Sequence, residues 1–238
     1  MNGVVEPVPP AASTGADGPG ARPAGDPAPL ARVEMPTGYR RSRIVARFLG
    51  RVVFSWRVQG CEHIPERGGF IIAANHAAYV DPPLIGAAAT RCLRFMAKEE
   101  LFDVPVLRWV ITNLGAMPVR RGAVDRRLLG VASDFLRAGG GVLIFPAGTR
   151  HSRRGRPGAS LLAAECQVPV VPARIDGSDR LRAAFLRRQR LDVRFGKPIA
   201  PPPGRSGPDH REVVREHTEL IMQAIRGLTG RVPAEGPE

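Results

Sequence analysis

The sequence predicts an α/β protein, a mixed and largely parallel sheet flanked by helices, on three observations. Short apolar runs bounded by glycine, proline or polar residues recur through the body of the chain, with helix-like segments between them. Two of those runs, residues 68–75 and 141–145, are almost wholly apolar, as buried strands are. A chain of 238 residues that is 43% hydrophobic can also bury one sizeable core, which makes a single main domain the expectation.

Residues 1–36 are rich in Pro, Ala and Gly and nearly free of aromatic or periodic apolar side chains, so they are expected to form a disordered tail. From 37 to 57 the pattern changes. Ile44, Val45, Phe48, Leu49, Val52, Val53 and Trp56 recur at helical spacing among Arg40, Arg41, Arg43, Arg47, Arg51 and Arg57, with no acidic residue between Thr37 and Cys61. Such a basic amphipathic helix suits the interface of an anionic membrane surface, and equally a helix packed on the core with its arginines in water.

The domain proper spans residues 58–230. Gly60, Ile64, Pro65 and Gly68-Gly69 make a turn-rich entry to the first strand, 68–75. Strands are then expected at 93–97, 116–119, 141–145, 168–175 and 191–195, and helices at 82–89, 105–112, 124–138, 159–167 and 210–228. Residues 231–238 are expected to be a flexible C-terminus. In such a fold reactive groups sit in loops at strand ends.

The formal charge is +13, and all of the 35 basic residues except Lys98 and Lys197 are arginine. That balance favours a negatively charged partner without choosing one. Aromatic residues make up only 5% of the chain and are not interleaved with the arginines, which argues against nucleic acid. Cys61, Cys92 and Cys166 are too far apart for a metal or redox pair and point to a reducing, cytoplasmic setting. No apolar stretch approaches the roughly 20 residues of a spanning helix. A peripheral association with the cytoplasmic face of the cell membrane is the expected location.

The chemistry centres on His76 and Asp81. His76 ends the strand at 68–75, and Asp81 before Pro82 reads as a helix start, with the carboxylate at the N-cap and proline at the first helical position. A loop between them can fold the carboxylate back onto the imidazole, leaving the other ring nitrogen to act as a base near neutral pH. Two further loops supply cations: Arg120 and Arg121 just past the strand at 116–119, and Gly148, Thr149 and Arg150 past the strand at 141–145. Arginine forks bind phosphate bidentately, and a Gly-Thr turn adds backbone and hydroxyl donors.

Asn75-His76 with Asp81, the loop at 115–121, Phe145-Pro-Ala-Gly-Thr-Arg150 and Val168-Pro-Val-Val-Pro172 together resemble the four ordered blocks of the glycerophospholipid acyltransferases, especially the 1-acyl-sn-glycerol-3-phosphate type. Met96-Ala-Lys98-Glu-Glu-Leu-Phe102, with Pro105 and Trp109, resembles the family between its first two blocks, and the likeness runs from about 58 to 197. The resemblance implies a glycerol-3-phosphate acyltransferase-like fold and transfer of a fatty acyl group from acyl-CoA or acyl-ACP to the hydroxyl of a lysophospholipid. It makes His76 the general base and Asp81 its orienting partner. Arg121, Gly148, Thr149 and Arg150 then hold the acceptor's phosphate, Lys98 stands near a substrate phosphate, and neither metal nor cofactor is required.

Three positions depart from the family pattern: Ala147 stands where Glu is usual, Ala78 where Ser is common, and Arg120 where an acidic residue is common. They leave the acceptor headgroup open to a lysolipid other than lysophosphatidic acid. A basic nucleic-acid-binding protein and a lipid-binding relative without turnover are the alternatives from other classes, and both consume no thioester.

Overall fold

A computed structural model describes residues 35–53, 55–103, 105–119, 126–147, 155–180, 190–204 and 209–229. The tail at 1–34, the terminus at 230–238 and the residues Arg120, Arg121, Gly148, Thr149 and Arg150 lie outside them.

Seven strands form one sheet: β1 (Arg57–Gln59), β2 (Phe70–Ala74), β3 (Leu93–Lys98), β4 (Ala116–Val119), β5 (Gly141–Ile144), β6 (Val170–Asp176) and β7 (Asp192–Phe195). Their order is β1-β7-β6-β2-β5-β3-β4, and every neighbouring pair is parallel except β6 with β7. Among the described residues six α-helices accompany them: α1 (Thr37–Val53), α2 (Asp81–Ala88), α3 (Pro105–Asn113), α4 (Arg126–Arg137), α5 (Gly158–Cys166) and α6 (His210–Gly227). The expected α/β class with a mixed, largely parallel sheet is what the structure has.

β2 shows why. It is buried along its whole length, with Phe70, Ile72 and Ala74 entering one core and Ile71 and Ala73 the other. Alternate residues point to opposite faces of a strand, so an unbroken apolar run demands cover on both sides. On the first face Phe70 and Ile72 share a core with Ile85 of α2 and Ile111 of α3. On the second face Ile71 meets Leu136 of α4, Leu162 of α5 and Ile221 of α6. Below the sheet the buried Arg91 donates to the carbonyls of Pro65, Gly68 and Gly139 and lies over the Phe70 ring at 4.8 Å, which ties the starts of β2 and β5 together.

Two expectations change. β1 was not anticipated: three residues of mostly exposed strand give no readable alternation, and only the pairing with β7 defines it. The basic helix ends at Val53, so Trp56 leaves it and packs, buried, under Gly50. α1 packs one face against α2 and leaves another exposed. Tyr39 is buried with its hydroxyl donating to Gly86 O, and Arg43 and Arg47 donate to the Ala89 and Ala88 carbonyls that α2 leaves unpaired at its end. Ile44, Val45 and Phe48 remain exposed. Among the described residues no helix is long and apolar enough to cross a membrane.

Candidate active site

Parallel strands end together, and β2, β3, β4 and β5 bring one set of chain ends to one edge of the sheet. Their last residues are Ala74, Lys98, Val119 and Ile144, with the pairings Ala73 to Ile144 and Lys98 to Val119 fixing the register. The chain therefore leaves β2, just before His76, and leaves β3, β4 and β5 on the same side. At about 4.8 Å per strand, β3 stands two places, about 10 Å, from β2, and β4 three places, about 14 Å.

His76 lies two residues beyond β2, and its Nδ1 donates to Asp81 Oδ2 at 2.9 Å. The same oxygen accepts the backbone N–H groups of Ala77 at 2.6 Å and Ala78 at 2.8 Å. Asp81 is completely buried, and its Oδ1 has no hydrogen-bond partner among the described residues. Three donors on one oxygen hold the anion in place inside the protein, where an unpaired carboxylate would be costly. An ionised carboxylate only accepts, so Nδ1 is the donor in this bond, and in the neutral ring Nε2 is the nitrogen that carries the lone pair.

The imidazole is 20% exposed and stacks on Phe145, with ring centroids 4.3 Å apart and planes 29° from parallel. One ring face is thus covered and one nitrogen is held by Asp81. Asn75, the residue before, uses its side chain on β6: Nδ2 donates to Ile175 O and Ile175 N donates to Oδ1, both at 2.8 Å.

The expected meeting of His76 and Asp81 is present, but the expected N-cap is not. Asp81 is the first residue of α2, Val80 precedes it as cap, and no side chain caps the helix. The carboxylate turns backward to the loop instead, while Pro82 and Pro83 occupy early positions where a missing N–H costs nothing. Its charge still lies in the first turn, on the favourable side of the helix dipole.

Lys98 closes β3 at the same sheet edge as His76. The other expected phosphate ligands, Arg120, Arg121, Gly148, Thr149 and Arg150, are outside the described residues. The sequence alone assigns Phe145 no role. The parallel register of β5 with β2 is the signal that brings it beside His76, and that register is not visible in one sequence. Among the described residues no three His, Cys, Asp or Glu side chains are grouped as metal ligands. A cavity of about 890 Å³ lies elsewhere, between α5 and α6, lined by Leu161, Val214, Met222 and Arg226 and not by His76 or Asp81.

Known proteins resemble this chain in sequence and in fold. The profile of the Acyltransferase family matches residues 55–176. The 1-acyl-sn-glycerol-3-phosphate acyltransferase of Streptococcus pneumoniae is 31% identical over 157 residues, 62% of this chain and 59% of that protein, so the chain spans under two thirds of that relative's length. The lyso-ornithine lipid O-acyltransferase of Pseudomonas aeruginosa is 30% identical over 203 residues, 77% of each protein. The crystal structure of the 1-acyl-sn-glycerophosphate (LPA) acyltransferase, PlsC, from Thermotoga maritima superposes with a TM-score of 0.60 at 25% identity, covering 82% of this chain and 80% of that one.

Proposed function

Because this chain belongs to the Acyltransferase family, we propose that it moves a fatty acyl group from a thioester, acyl-CoA or acyl-ACP, to the free hydroxyl of a lysophospholipid. The acceptor that fits best is 1-acyl-sn-glycerol-3-phosphate, giving phosphatidic acid for phospholipid synthesis. The observation that carries this reading is the 2.9 Å bond from His76 Nδ1 to Asp81 Oδ2 in a side chain that is 20% exposed, which makes Nε2 the ring nitrogen left for a substrate.

The chemistry follows from that nitrogen. The acceptor's hydroxyl gives its proton to His76 Nε2 while its oxygen bonds to the thioester carbonyl carbon. The carbon–sulfur bond then breaks, and the departing thiolate takes the proton back from Nε2. Asp81 fixes the ring's tautomer and faces the imidazolium that forms between the two transfers. Phe145 keeps the ring from rotating away. No step needs a metal or an enzyme-bound acyl group.

Arg120, Arg121, Gly148, Thr149 and Arg150 are proposed to hold the acceptor's phosphate, with Lys98 near a substrate phosphate. Support comes from the sheet edge their strands share with His76 and from the suitability of arginine forks for phosphate. Location at an anionic membrane surface is supported by α1, whose Phe48 is 67% exposed among arginines, and by Trp109 of α3, 63% exposed on a helix packed against α1.

A second acceptor class is favoured by one observation, Ala147 in place of the family's usual Glu, and by likeness to a lyso-ornithine lipid enzyme. The test offers purified protein an acyl thioester with lysophosphatidic acid, other lysophospholipids and lyso-ornithine lipid, and follows thiol release and product mass. Turnover with lysophosphatidic acid is the expected result; turnover confined to another lysolipid selects the second reading, and no thiol release with any removes the enzyme.

A further inference from the structure

We infer that Asn75 is a positioning residue for the base, a role that rests on His76 having the function proposed above. The observation is its two 2.8 Å bonds to Ile175, one hundred residues away in β6.

The β2–β6 ladder runs in parallel register through Ala74 and Ala173. Beyond it, the N–H and C=O of Ile175, a residue only 1% exposed, still need partners. Backbone from the continuing β2 strand would be the ordinary source. Here the Asn75 carboxamide, which has the donor and acceptor of a peptide group, takes both places. The chain is thereby released from the sheet one residue before His76 while remaining pinned to β6. His76 turns toward β5, where its ring rests on Phe145, and toward α2, where Asp81 holds Nδ1.

The side-chain choice is narrow. Asp offers Ile175 O an oxygen instead of a donor, and Ala leaves both buried backbone groups without a partner. The orientation of the amide is fixed by those partners, because only NH2 can face the carbonyl and only the oxygen can face the N–H. A flat sheet would carry His76 onward in line with β2; the amide substitution makes the corner.

The experiment compares Asn75→Asp, Asn75→Ala and His76→Ala with the parent, using thiol release under saturating and limiting substrate. Circular dichroism and melting temperature give the folded fraction, and Ile225→Ala in the α6 core serves as a control for stability loss alone. The expected result is a fall in kcat per folded molecule on the order of 10- to 100-fold for both Asn75 variants, as for other misplacements of a reacting group. The KM for donor and acceptor stays within about twofold, and Ile225→Ala keeps its kcat. Asn75→Asp retains the bond from Ile175 N, so it remains informative if Asn75→Ala does not fold. In the Asn75→Asp/His76→Ala double variant the residual rate should equal that of His76→Ala, because a residue acting through the base has nothing left to act on. A kcat per folded molecule within twofold of the parent for Asn75→Asp, or a further loss in the double variant, overturns the positioning role. If His76→Ala itself turns over normally, the base assignment fails first, and that outcome is distinct from a lost His76→Ala with an intact Asn75→Asp.

Discussion

His76 and Phe145 face each other as stacked rings, 4.3 Å between centroids, at the ends of two adjacent parallel strands. The contact joins β2 to β5 where the chemistry is proposed to happen. It gives Phe145 a job that neither core packing nor substrate binding describes: one face of the imidazole is fixed and kept from water.

Phe145→Leu removes the stack but keeps an apolar side chain. Aromatic pairs of this kind are worth about 0.5–1.5 kcal/mol beyond burial, so kcat should fall roughly two- to tenfold with little change in KM. Phe145→Tyr should retain the parent rate. Steady-state kinetics on the two variants decide it.

Asp81→Asn keeps the shape of the side chain and removes its charge. The oxygen that now accepts from His76 Nδ1, Ala77 N and Ala78 N must serve three donors as a neutral amide. The ring loses its fixed tautomer, and kcat should drop by about 10²- to 10⁴-fold, the share usual for a positioned base. A matching measurement of melting temperature separates this from unfolding.

Arg121→Ala and Arg150→Ala bear on the proposed phosphate clamp. Each should raise the acceptor concentration needed for half-maximal rate by tenfold or more, since a charge-assisted bond contributes about 1.5–3 kcal/mol. The KM for the acyl thioester should be unchanged. Acceptor titrations at saturating donor give the answer, and unchanged acceptor KM in both variants would dismiss the clamp.

A separate pH dependence comes from α6. His217 is buried, with Nε2 donating to Ala200 O at 2.9 Å and Nδ1 accepting from the Ser160 hydroxyl at 3.0 Å. Burial holds its imidazole below the ordinary histidine value. In the unfolded chain the ring takes up a proton near pH 6.5 while the folded protein still excludes it. The unfolded state then binds more protons, so the stabilising contribution is present above about pH 6.5 and is lost as pH falls from there toward the lower folded value. Urea denaturation at pH 7.5 and pH 5.5 should show stability falling with acid, and His217→Gln should flatten that trend.

Much of this architecture is legible in the sequence, for reasons that also mark where reading stops. β2 and β5 are readable because a strand covered on both faces must be apolar at every position, as Phe70-Ile-Ile-Ala-Ala and Gly141-Val-Leu-Ile are. β1 is not readable, because Arg57-Val-Gln59 is a strand only through its partner β7. Strand order is hidden for the same reason: β7 lies antiparallel to β6 and separates it from β1, an arrangement made by contacts far apart in the chain. Asp81 reads as a cap because Asp before Pro is the pattern of one, whereas in the structure three donors behind it outweigh the helix ahead. In α1 the spacing reveals an amphipathic helix but not that Arg43 and Arg47 serve the end of α2.

The most direct measurement is the turnover of His76→Ala, read as thiol released from an acyl thioester in the presence of a lysolipid acceptor, on protein whose melting temperature matches the parent. The account expects the rate to fall by about 10²-fold or more, with acceptor binding retained. A folded His76→Ala protein that acylates its acceptor at the parent rate would contradict it.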